Sequence, residues 1–218
     1  MPAFFVHGVP DTHEVWDALL THLDRDDVIV PDMPGFGCER PAGFGATKEE
    51  YLAWLVEQVE AAAADAGEPV DLVGHDWGSL LSQRLVTVRP DLVRTWAAGG
   101  AALEPGYVWH EFAQAWQRPE TTPDMVPFGD DTMKACILDL YRSAVDVFAT
   151  WGEEFVDVEP RGLVVWGADD PFVGADVGER AARRAGADLL MLEGCSHWWP
   201  HERPAEVAVA LEALWESV

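Results

Sequence analysis

The chain has 218 residues, of which 49% are hydrophobic, so it can bury one sizeable core but is too short for two full domains. Acidic residues outnumber basic ones by 39 to 14, which gives a formal net charge of −25 at pH 7. A surface of that sign repels nucleic-acid phosphates and anionic lipid headgroups. We therefore expect neither nucleic acid nor a membrane as a partner.

The three cysteines, Cys38, Cys136 and Cys195, stand in no Cys-x-x-Cys or other metal-ligand spacing, so no metal site is expected. The first residues are apolar but lack the basic segment and cleavage site of a signal peptide. No apolar run reaches membrane-spanning length. These features predict a cytoplasmic protein with reduced cysteines.

Short apolar runs alternate with amphipathic helical patterns along most of the chain. Continuous apolar runs are typical of strands in a parallel sheet that is covered on both faces. The predicted strands are residues 3–6, 28–30, 70–73, 95–98, 163–166 and 189–192. The predicted helices are residues 15–23, one that opens at Thr47 with the capping-box partner Glu50, and residues 80–88, 177–185 and 207–214. This alternation predicts an α/β fold with a doubly wound sheet and helices on both faces.

The alternation is interrupted in residues 100–159. This segment is rich in Trp and Pro and carries two short helix patterns, residues 109–116 and 133–148. We interpret it as a reduced helical cap inserted at the carboxyl edge of the sheet. The core domain is then formed by residues 1–99 and 160–218.

The third predicted strand is followed directly by Gly74-His75-Asp76-Trp77-Gly78. A Gly-x-nucleophile-x-Gly sequence between a strand and a helix is typical of a nucleophile elbow, in which glycines permit a sharp turn that exposes the central side chain. The same residues also fit a plain strand-to-helix turn in which Asp76 caps the following helix. The role of Asp76 as a nucleophile therefore depends on further residues.

Three further groups of residues support a catalytic role for Asp76, because each follows a predicted strand and therefore lies at the carboxyl end of the sheet. His7-Gly8-Val9-Pro10 follows the first strand, and the Val9 amide can form an oxyanion hole together with that of Trp77. The pair Asp169-Asp170 follows the fifth strand, and His197 lies shortly after the sixth. Nucleophile, acid and histidine thus occur in the chain order expected of a catalytic triad on such a sheet.

Together the motifs resemble those of the α/β-hydrolase superfamily, and within it the epoxide hydrolase and haloalkane dehalogenase branch. The resemblance extends over nearly the whole chain and rests on His7-Gly8-Val9-Pro10, Asp32-Met33-Pro34-Gly35-Phe36-Gly37 and Gly74-His75-Asp76-Trp77-Gly78-Ser79. It implies that Asp76 is the nucleophile, that Asp170 rather than Asp169 is the acid, and that no cofactor is needed. Because the chain starts almost at the first motif, it also implies about six strands, all parallel, and a reduced cap.

An aspartate nucleophile indicates alkyl transfer rather than ester cleavage. A carboxylate is ionised at neutral pH without a base and can displace a leaving group at a saturated carbon, which forms an ester with the enzyme. His197, oriented by Asp170, would then activate water to hydrolyse that ester. The amides of Val9 and Trp77 would hold the oxyanion.

The leaving group distinguishes the two members of this branch. Epoxide hydrolases of the family protonate the epoxide oxygen with cap tyrosines, and residues 138–144 resemble the stretch that carries one of them. The resemblance therefore implies that Tyr141 is the proton donor and Tyr107 a weaker second. Tyr51 lies on an amphipathic helix and is interpreted as a packing residue.

Dehalogenases bind the departing halide with Trp or Asn side chains, so a haloalkane or haloacid dehalogenase is the alternative. The candidate halide donors are Trp77, Trp109, Trp116 and Trp151. Aromatic side chains more often line an apolar pocket, and we assign that role to Trp109, Trp116 and Trp198. A small apolar epoxide is thus favoured over a halogenated substrate.

Two interpretations belong to other classes. A non-catalytic protein that binds a small molecule on a hydrolase scaffold would have no need to keep Asp76, Asp170 and His197. A serine esterase would need Ser79 or Ser82 at the elbow apex, which neither occupies. The sequence is compatible with a monomer and with a homodimer.

Overall fold

The computed structural model describes residues 1–218 as a parallel sheet flanked by helices. Its six strands are β1 Ala3–Val6, β2 Val28–Ile29, β3 Val70–His75, β4 Val93–Gly99, β5 Arg161–Gly167 and β6 Asp188–Leu192. They lie in the order β2-β1-β3-β4-β5-β6, and every neighbouring pair is parallel. The expected six-stranded, all-parallel sheet is confirmed.

Helices cover both faces of the sheet. They are α1 Asp17–Leu20, α2 Lys48–Ala66, α3 Trp77–Val88, α4 Glu111–Gln117, α5 Asp131–Ser143, α6 Val147–Thr150, α7 Ala175–Ala185, α8 Trp199–Glu202 and α9 Pro204–Glu216. Successive strand residues point to opposite faces, so Phe4 and Val6 of β1 belong to the buried cluster that includes side chains of α2, α3 and α7, whereas Ala3 and Phe5 belong to the cluster on the α1 and α9 side. No helix combines the length and apolar character needed to cross a bilayer.

The start of α2 follows directly from the sequence. The Thr47 side chain accepts the Glu50 amide, and the Glu50 carboxylate accepts the Thr47 amide, so the capping box is confirmed. The first predicted helix, residues 15–23, is shorter than expected. It begins as a 3-10 turn at His13–Trp16 and continues for one α-helical turn only.

The prediction of one helix over residues 133–148 is wrong. Helix α5 ends at Ser143, Ala144 adopts a non-helical φ of −111°, and α6 begins at Val147. The Ser143 hydroxyl accepts the Lys48 amide at 2.8 Å, which ties the end of α5 to the start of α2. A contact between distant parts of the chain therefore accompanies the break. The spacing of apolar residues within the helix does not indicate such a contact.

Residues 100–159 contain α4, α5 and α6, and their side chains cover Asp76 at the carboxyl end of β3. The segment is attached to α3 through Gln83. The Gln83 Oε1 atom accepts the Leu103 amide at 2.7 Å, and its Nε2 donates to the Ala101 carbonyl at 3.1 Å. A rigid helix thus fixes the start of the predicted cap.

A buried carboxylate lies at the amino-terminal ends of the strands, opposite the end that carries Asp76. Asp71 of β3 is fully buried and accepts hydrogen bonds from Arg94 Nη2 at 2.6 Å, Thr95 Oγ1 at 2.7 Å and Arg25 Nη1 at 3.3 Å. Arg94 Nη1 also donates to the Trp215 carbonyl at 2.8 Å. This network joins the central strands to the end of α9.

Candidate active site

Asp76 lies at the tip of a strained turn between β3 and α3. Its backbone has φ 52° and ψ −117°, which non-glycine residues rarely adopt, and its amide donates to the Gly99 carbonyl at 2.9 Å. A Cβ on Gly78 would lie 2.0 Å from the Val6 carbonyl oxygen, and one on Gly74 would lie 2.3 Å from the Gly78 carbonyl oxygen. Both glycines are therefore required by the close approach of the backbone.

The two carboxylate oxygens of Asp76 have different partners. Oδ1 accepts the Val9 amide at 2.7 Å, whereas Oδ2 lies 3.6 Å from His197 Nε2. Gly8 permits the first contact, because a Cβ there would lie 2.6 Å from Oδ1. The Trp77 amide, the first of α3, has no partner within its helix. One oxygen is thus held by the backbone, and the other is left free to react.

The environment keeps Asp76 ionised at neutral pH. Burial by itself would raise the pKa of the Asp76 carboxyl group. The hydrogen bond and positive charge of His197, together with the Val9 amide, outweigh burial and lower that pKa below its ordinary value. A carboxylate in this state needs no general base in order to act as a nucleophile.

His197 lies between two carboxylates. Its Nδ1 donates to Asp170 Oδ2 at 2.7 Å, and Asp170 Oδ1 accepts the amides of Phe172 and Val173 at 2.8 and 3.0 Å. Burial lowers the pKa of His197, but hydrogen bonds and charge from Asp170 and Asp76 raise it to about 10. Asp170 therefore fixes both the orientation of the ring and its charge.

A second buried histidine supports the loop that carries His197. His75 is fully buried, and its Nε2 donates to the His197 carbonyl at 2.9 Å. With the proton on Nε2, the His75 Nδ1 carries a lone pair, which has no hydrogen-bond partner and lies 3.9 Å from Asp11 Oδ2. Asp11 in turn accepts the Trp198 indole N–H at 3.3 Å. The backbone of His197 and its neighbour are thereby anchored.

His7 joins the loops that follow β1 and β2. It is fully buried, its Nδ1 donates to the Gly8 carbonyl at 2.8 Å, and its Nε2 accepts the Met33 amide at 2.9 Å. Burial lowers the pKa of His7 to about 4, so the ring stays neutral and keeps this tautomer. His7 thus holds the turn that presents the Val9 amide.

An apolar cavity of about 220 Å³ lies over Asp76 and His197. Of its 19 lining residues 15 are hydrophobic, and none is Lys or Arg, so the cavity suits an uncharged ligand. Asp170 lies behind His197 and does not line it. The cavity brings together the sequence-derived candidates Val9, Asp76, Trp77, Tyr107, Trp109, Trp116, Tyr141, His197 and Trp198.

The two candidate tyrosines differ in their hydrogen bonds. The Tyr107 hydroxyl donates to the Phe172 carbonyl at 3.2 Å. The Tyr141 hydroxyl proton has no acceptor in the chain, and the Tyr141 ring packs edge-on against Trp77 with 5.4 Å between centroids. Burial raises the pKa of Tyr107 to about 12 and that of Tyr141 well above its ordinary value, so both keep their protons. Only Tyr141 therefore has a hydroxyl proton that is free for a ligand.

The candidate halide-binding tryptophans are not equivalent. Trp109 Nε1 donates to the Ala144 carbonyl at 3.1 Å and is engaged. The expectation for Trp151 is wrong, because Trp151 does not line the cavity and instead packs beneath the Lys48 ammonium group. The Trp77 indole N–H, in contrast, is buried without an acceptor.

The remaining sequence alternatives lie outside the cavity. Asp169, the second choice for the acid, is exposed, whereas the Asp170 side chain is 1% exposed. The Ser79 hydroxyl donates to the Ala101 carbonyl at 2.6 Å, and the Ser82 hydroxyl is buried without a partner. Neither serine reaches the cavity, so the geometry does not support a serine nucleophile. No group of three His, Cys, Asp or Glu side chains is arranged to hold a metal ion.

Sequence reasoning missed four polar residues of the site. His7 and His75 belong to the quoted motifs, which indicate only turns at these positions, and Asp11 directly follows the first motif. His110 lies in the short helix pattern of residues 109–116, where the sequence singled out only tryptophans, yet it lines the cavity. Their positions in the sequence could have indicated them, because each lies within a few residues of the carboxyl end of a strand or at the start of α4.

We expect the His197 ring to stay protonated well above neutral pH in the resting protein. Imidazole nitrogen NMR should give a midpoint near pH 10 for the wild type, because two carboxylates stabilise the imidazolium ion. In Asp170→Asn the midpoint should fall, because one of those carboxylates becomes a neutral amide. A wild-type midpoint at the ordinary value of 6.5 would contradict this assignment.

The raised pKa of His197 also makes the stability of the folded protein depend on pH. The pKa of His197 is raised in the folded state, so its contribution to the free energy of unfolding is complete below pH 6.5. The contribution then falls as the pH rises and is lost above about pH 10. The loss should be smaller in Asp170→Asn, because the two states then differ less in pKa.

Comparison with known proteins agrees with this fold. Residues 3–210 match the alpha/beta hydrolase family. The chain is 26% identical to (E)-2-((N-methylformamido)methylene)succinate hydrolase of Acinetobacter baylyi, over 99% of this chain and 90% of that protein. A shorter match, to an epoxide hydrolase of Neurospora crassa, has 30% identity over 41% of this chain and 27% of that protein.

Among solved structures, a loop variant of a haloalkane dehalogenase from Bradyrhizobium elkanii aligns with a TM-score of 0.77 at 15% identity. The alignment covers 99% of this chain and 90% of the dehalogenase. At that identity the likeness concerns the fold. The match of the family to nearly the whole sequence, together with the elbow and the parallel sheet, shows that this chain is an enzyme of the α/β-hydrolase family.

Proposed function

We propose that the protein is an epoxide hydrolase in which Asp76 forms an ester with a small apolar epoxide. The observation that carries the proposal is the free hydroxyl proton of Tyr141, which shares a cavity with the Asp76 carboxylate. Opening an epoxide produces an alkoxide, and a phenolic proton neutralises it. A departing halide accepts hydrogen bonds but takes no proton, so proton transfer from Tyr141 is a step that only the epoxide requires.

In the first step, Asp76 Oδ2 attacks one carbon of the epoxide while Oδ1 stays bound to the Val9 amide. The carbon–oxygen bond of the ring breaks, and the oxygen takes the proton of Tyr141. The Trp77 indole N–H makes no hydrogen bond in the resting structure, but it lowers the pKa of the Tyr141 hydroxyl against the effect of burial, so it can stabilise the phenolate. The product of this step is a hydroxyalkyl ester of Asp76.

In the second step, ester formation changes the charge around His197. Asp76 is one of the two carboxylates that raise the pKa of His197, and its charge disappears in the ester. The imidazolium ion then gives up its proton more readily, and that proton restores the Tyr141 phenol. The neutral Nε2 takes a proton from water, the hydroxide adds to the carboxyl carbon of Asp76, and the Val9 amide binds the oxyanion. Collapse of this intermediate expels the alkoxide, which takes the proton left on the newly added oxygen and departs as a diol. Asp76 is then a carboxylate again, and His197 keeps the proton that it took from water.

The cavity disfavours a dicarboxylate such as the succinate derivative for which the Acinetobacter relative is named. No Lys or Arg lines the cavity, and the chain as a whole carries a net charge of −25. A dianion would therefore meet repulsion, because the His197 imidazolium ion is already paired with Asp76 and Asp170. An uncharged substrate fits both the charge and the apolar lining.

A dehalogenase is the second candidate, and the Trp77 indole N–H favours it. This N–H is buried without an acceptor and belongs to the residue next to the nucleophile. A departing halide carries a full charge and needs several donors in an apolar site. The Trp109 N–H is already engaged with Ala144, so this function has weaker support.

Covalent trapping tests the proposal. In His197→Gln the ester should form but not hydrolyse, so incubation with styrene oxide should add the mass of the epoxide to the peptide that contains Asp76. The double variant with Asp76→Asn is the matched control and should stay unmodified. Adding Tyr141→Phe should slow adduct formation from the epoxide, because the alkoxide then lacks its proton donor.

The same protein is incubated separately with n-butyl bromide. An adduct with the bromide alone would assign the protein to the dehalogenases. Folded protein that forms no adduct with either reagent, or with a broader panel of epoxides and halides, would favour a non-catalytic binding scaffold.

A further inference from the structure

His110 lines the cavity, and the mechanism above gives it no role. Three other ionisable groups of the cavity are accounted for: Asp76 as nucleophile, His197 as base and Tyr141 as acid. The hydroxyl proton of Tyr107 is bound to the Phe172 carbonyl. His110 is therefore the ionisable residue of the cavity to which no role has been assigned.

The hydrogen bonds of His110 define its tautomer. The Ala113 amide donates to His110 Nδ1 at 3.4 Å, so Nδ1 carries the lone pair, and the neutral ring has its proton on Nε2. Burial lowers the pKa of His110, so the ring is neutral at neutral pH. No atom of the chain accepts the Nε2 proton. The ring thus supplies one unpaired N–H donor.

Aromatic neighbours hold the His110 ring in place. Its centroid lies 5.4 Å from that of Phe172 and 6.4 Å from those of Trp109 and Phe112. His110 is half-buried, and solvent can reach its Nε2 atom. An apolar ligand that displaces this water leaves the N–H unpaired, which is unfavourable, whereas an oxygen acceptor on the ligand replaces the water. Because the ring is neutral and the Asp76 carboxylate shares the cavity, a neutral acceptor suits the position better than a carboxylate.

We propose that the His110 Nε2–H binds a neutral oxygen of the substrate, such as a carbonyl, so that the preferred substrate is an oxygenated epoxide rather than a hydrocarbon epoxide. This inference rests on the proposed function and specifies its substrate class. It makes His110 a binding residue that determines specificity. The cap residue thereby recognises a part of the substrate that does not react.

A matched pair of substrates tests the proposal. One is hexene oxide, and the other is its methyl-ketone analogue, in which a carbonyl replaces the methylene next to the terminal methyl group. The wild type should show a higher kcat/KM for the ketone. His110→Phe should lower kcat/KM for the ketone by about tenfold, the effect of losing one neutral hydrogen bond, and leave that for hexene oxide nearly unchanged.

Two variants separate recognition from a structural effect. His110→Gln keeps an N–H donor at the end of a side chain and should restore part of the preference for the ketone. His110→Ser keeps an acceptor for the Ala113 amide but is too short to reach a ligand, so it should behave like His110→Phe. A purely structural role would lower the activity on both substrates equally in every variant that loses stability, and this result would overturn the proposal. His22→Phe, at an exposed histidine, is the surface control.

A binding measurement keeps the test independent of epoxide chemistry. Tryptophan fluorescence should report tighter binding of methyl butyl ketone to the wild type than to His110→Phe, by about tenfold in Kd. If epoxides are not turned over but this difference is present, the proposed function fails and the donor role of His110 stands. Equal binding to both proteins, or no binding to either, contradicts the role of His110.

Discussion

Replacing Asp76 with Asn should lower turnover of an epoxide substrate by about 10⁴-fold or more, as the loss of a nucleophile generally does. The amide has no negative charge with which to attack carbon. Asparagine tolerates a positive φ, and its side-chain oxygen can still accept the Val9 amide, so the elbow should keep its conformation. Initial rates with substrate in excess measure the effect, and thermal unfolding verifies that the variant is folded.

The control for this variant is Asp91→Asn, which removes an equal charge from an exposed site. Its rate should match that of the wild type. Intact mass must show that the introduced asparagine has not deamidated during the assay, because a trace of restored carboxylate would appear as residual activity. A folded, intact Asp76→Asn variant that retains a substantial part of the wild-type rate would rule out Asp76 as the nucleophile.

Replacing Asp71 with Ala should lower the free energy of unfolding by about 3–5 kcal/mol, the usual cost of removing one partner from a buried ion pair. Asp71 is fully buried, and without it the guanidinium groups of Arg94 and Arg25 lose the carboxylate that offsets their desolvation. Urea unfolding at neutral pH measures the change. The end of α9 should loosen first, because Arg94 also binds the Trp215 carbonyl.

Asp27→Ala provides the matched control. Asp27 accepts a hydrogen bond from the same Arg25 at 2.7 Å, but its side chain is 42% exposed. The loss at such a site should be about 0–1 kcal/mol. Equal losses of unfolding free energy for Asp71→Ala and Asp27→Ala would show that burial of the carboxylate is not what stabilises this end of the sheet.

Much of the fold could be predicted because local sequence patterns determine it. The apolar runs define the six strands, the Thr47–Glu50 box defines the start of α2, and the glycines around Asp76 define the elbow. The break after Ser143 could not be predicted, because it is accompanied by a contact with Lys48, a residue far away in the chain. Periodicity describes one helix at a time and carries no information about such contacts.

The candidate site shows the same division. The order of Asp76, Asp170 and His197 along the chain was sufficient to bring these residues together as candidates. Whether a side chain has a free proton is a different question, since it depends on partners from distant segments. The sequence ranks Tyr141 above Tyr107 by resemblance alone, and it does not reveal that the Tyr107 hydroxyl has a carbonyl partner.

The unequal partners of the two Asp76 oxygens have a consequence for the fate of individual atoms. In the proposed cycle, Oδ2 is exported as a hydroxyl oxygen of the diol, and solvent supplies its replacement. Oδ1 stays on the Val9 amide throughout and is retained. The enzyme would therefore renew one oxygen of its own side chain at every turnover and keep the other, because the Val9 amide lies on one oxygen and the His197 ring faces the other.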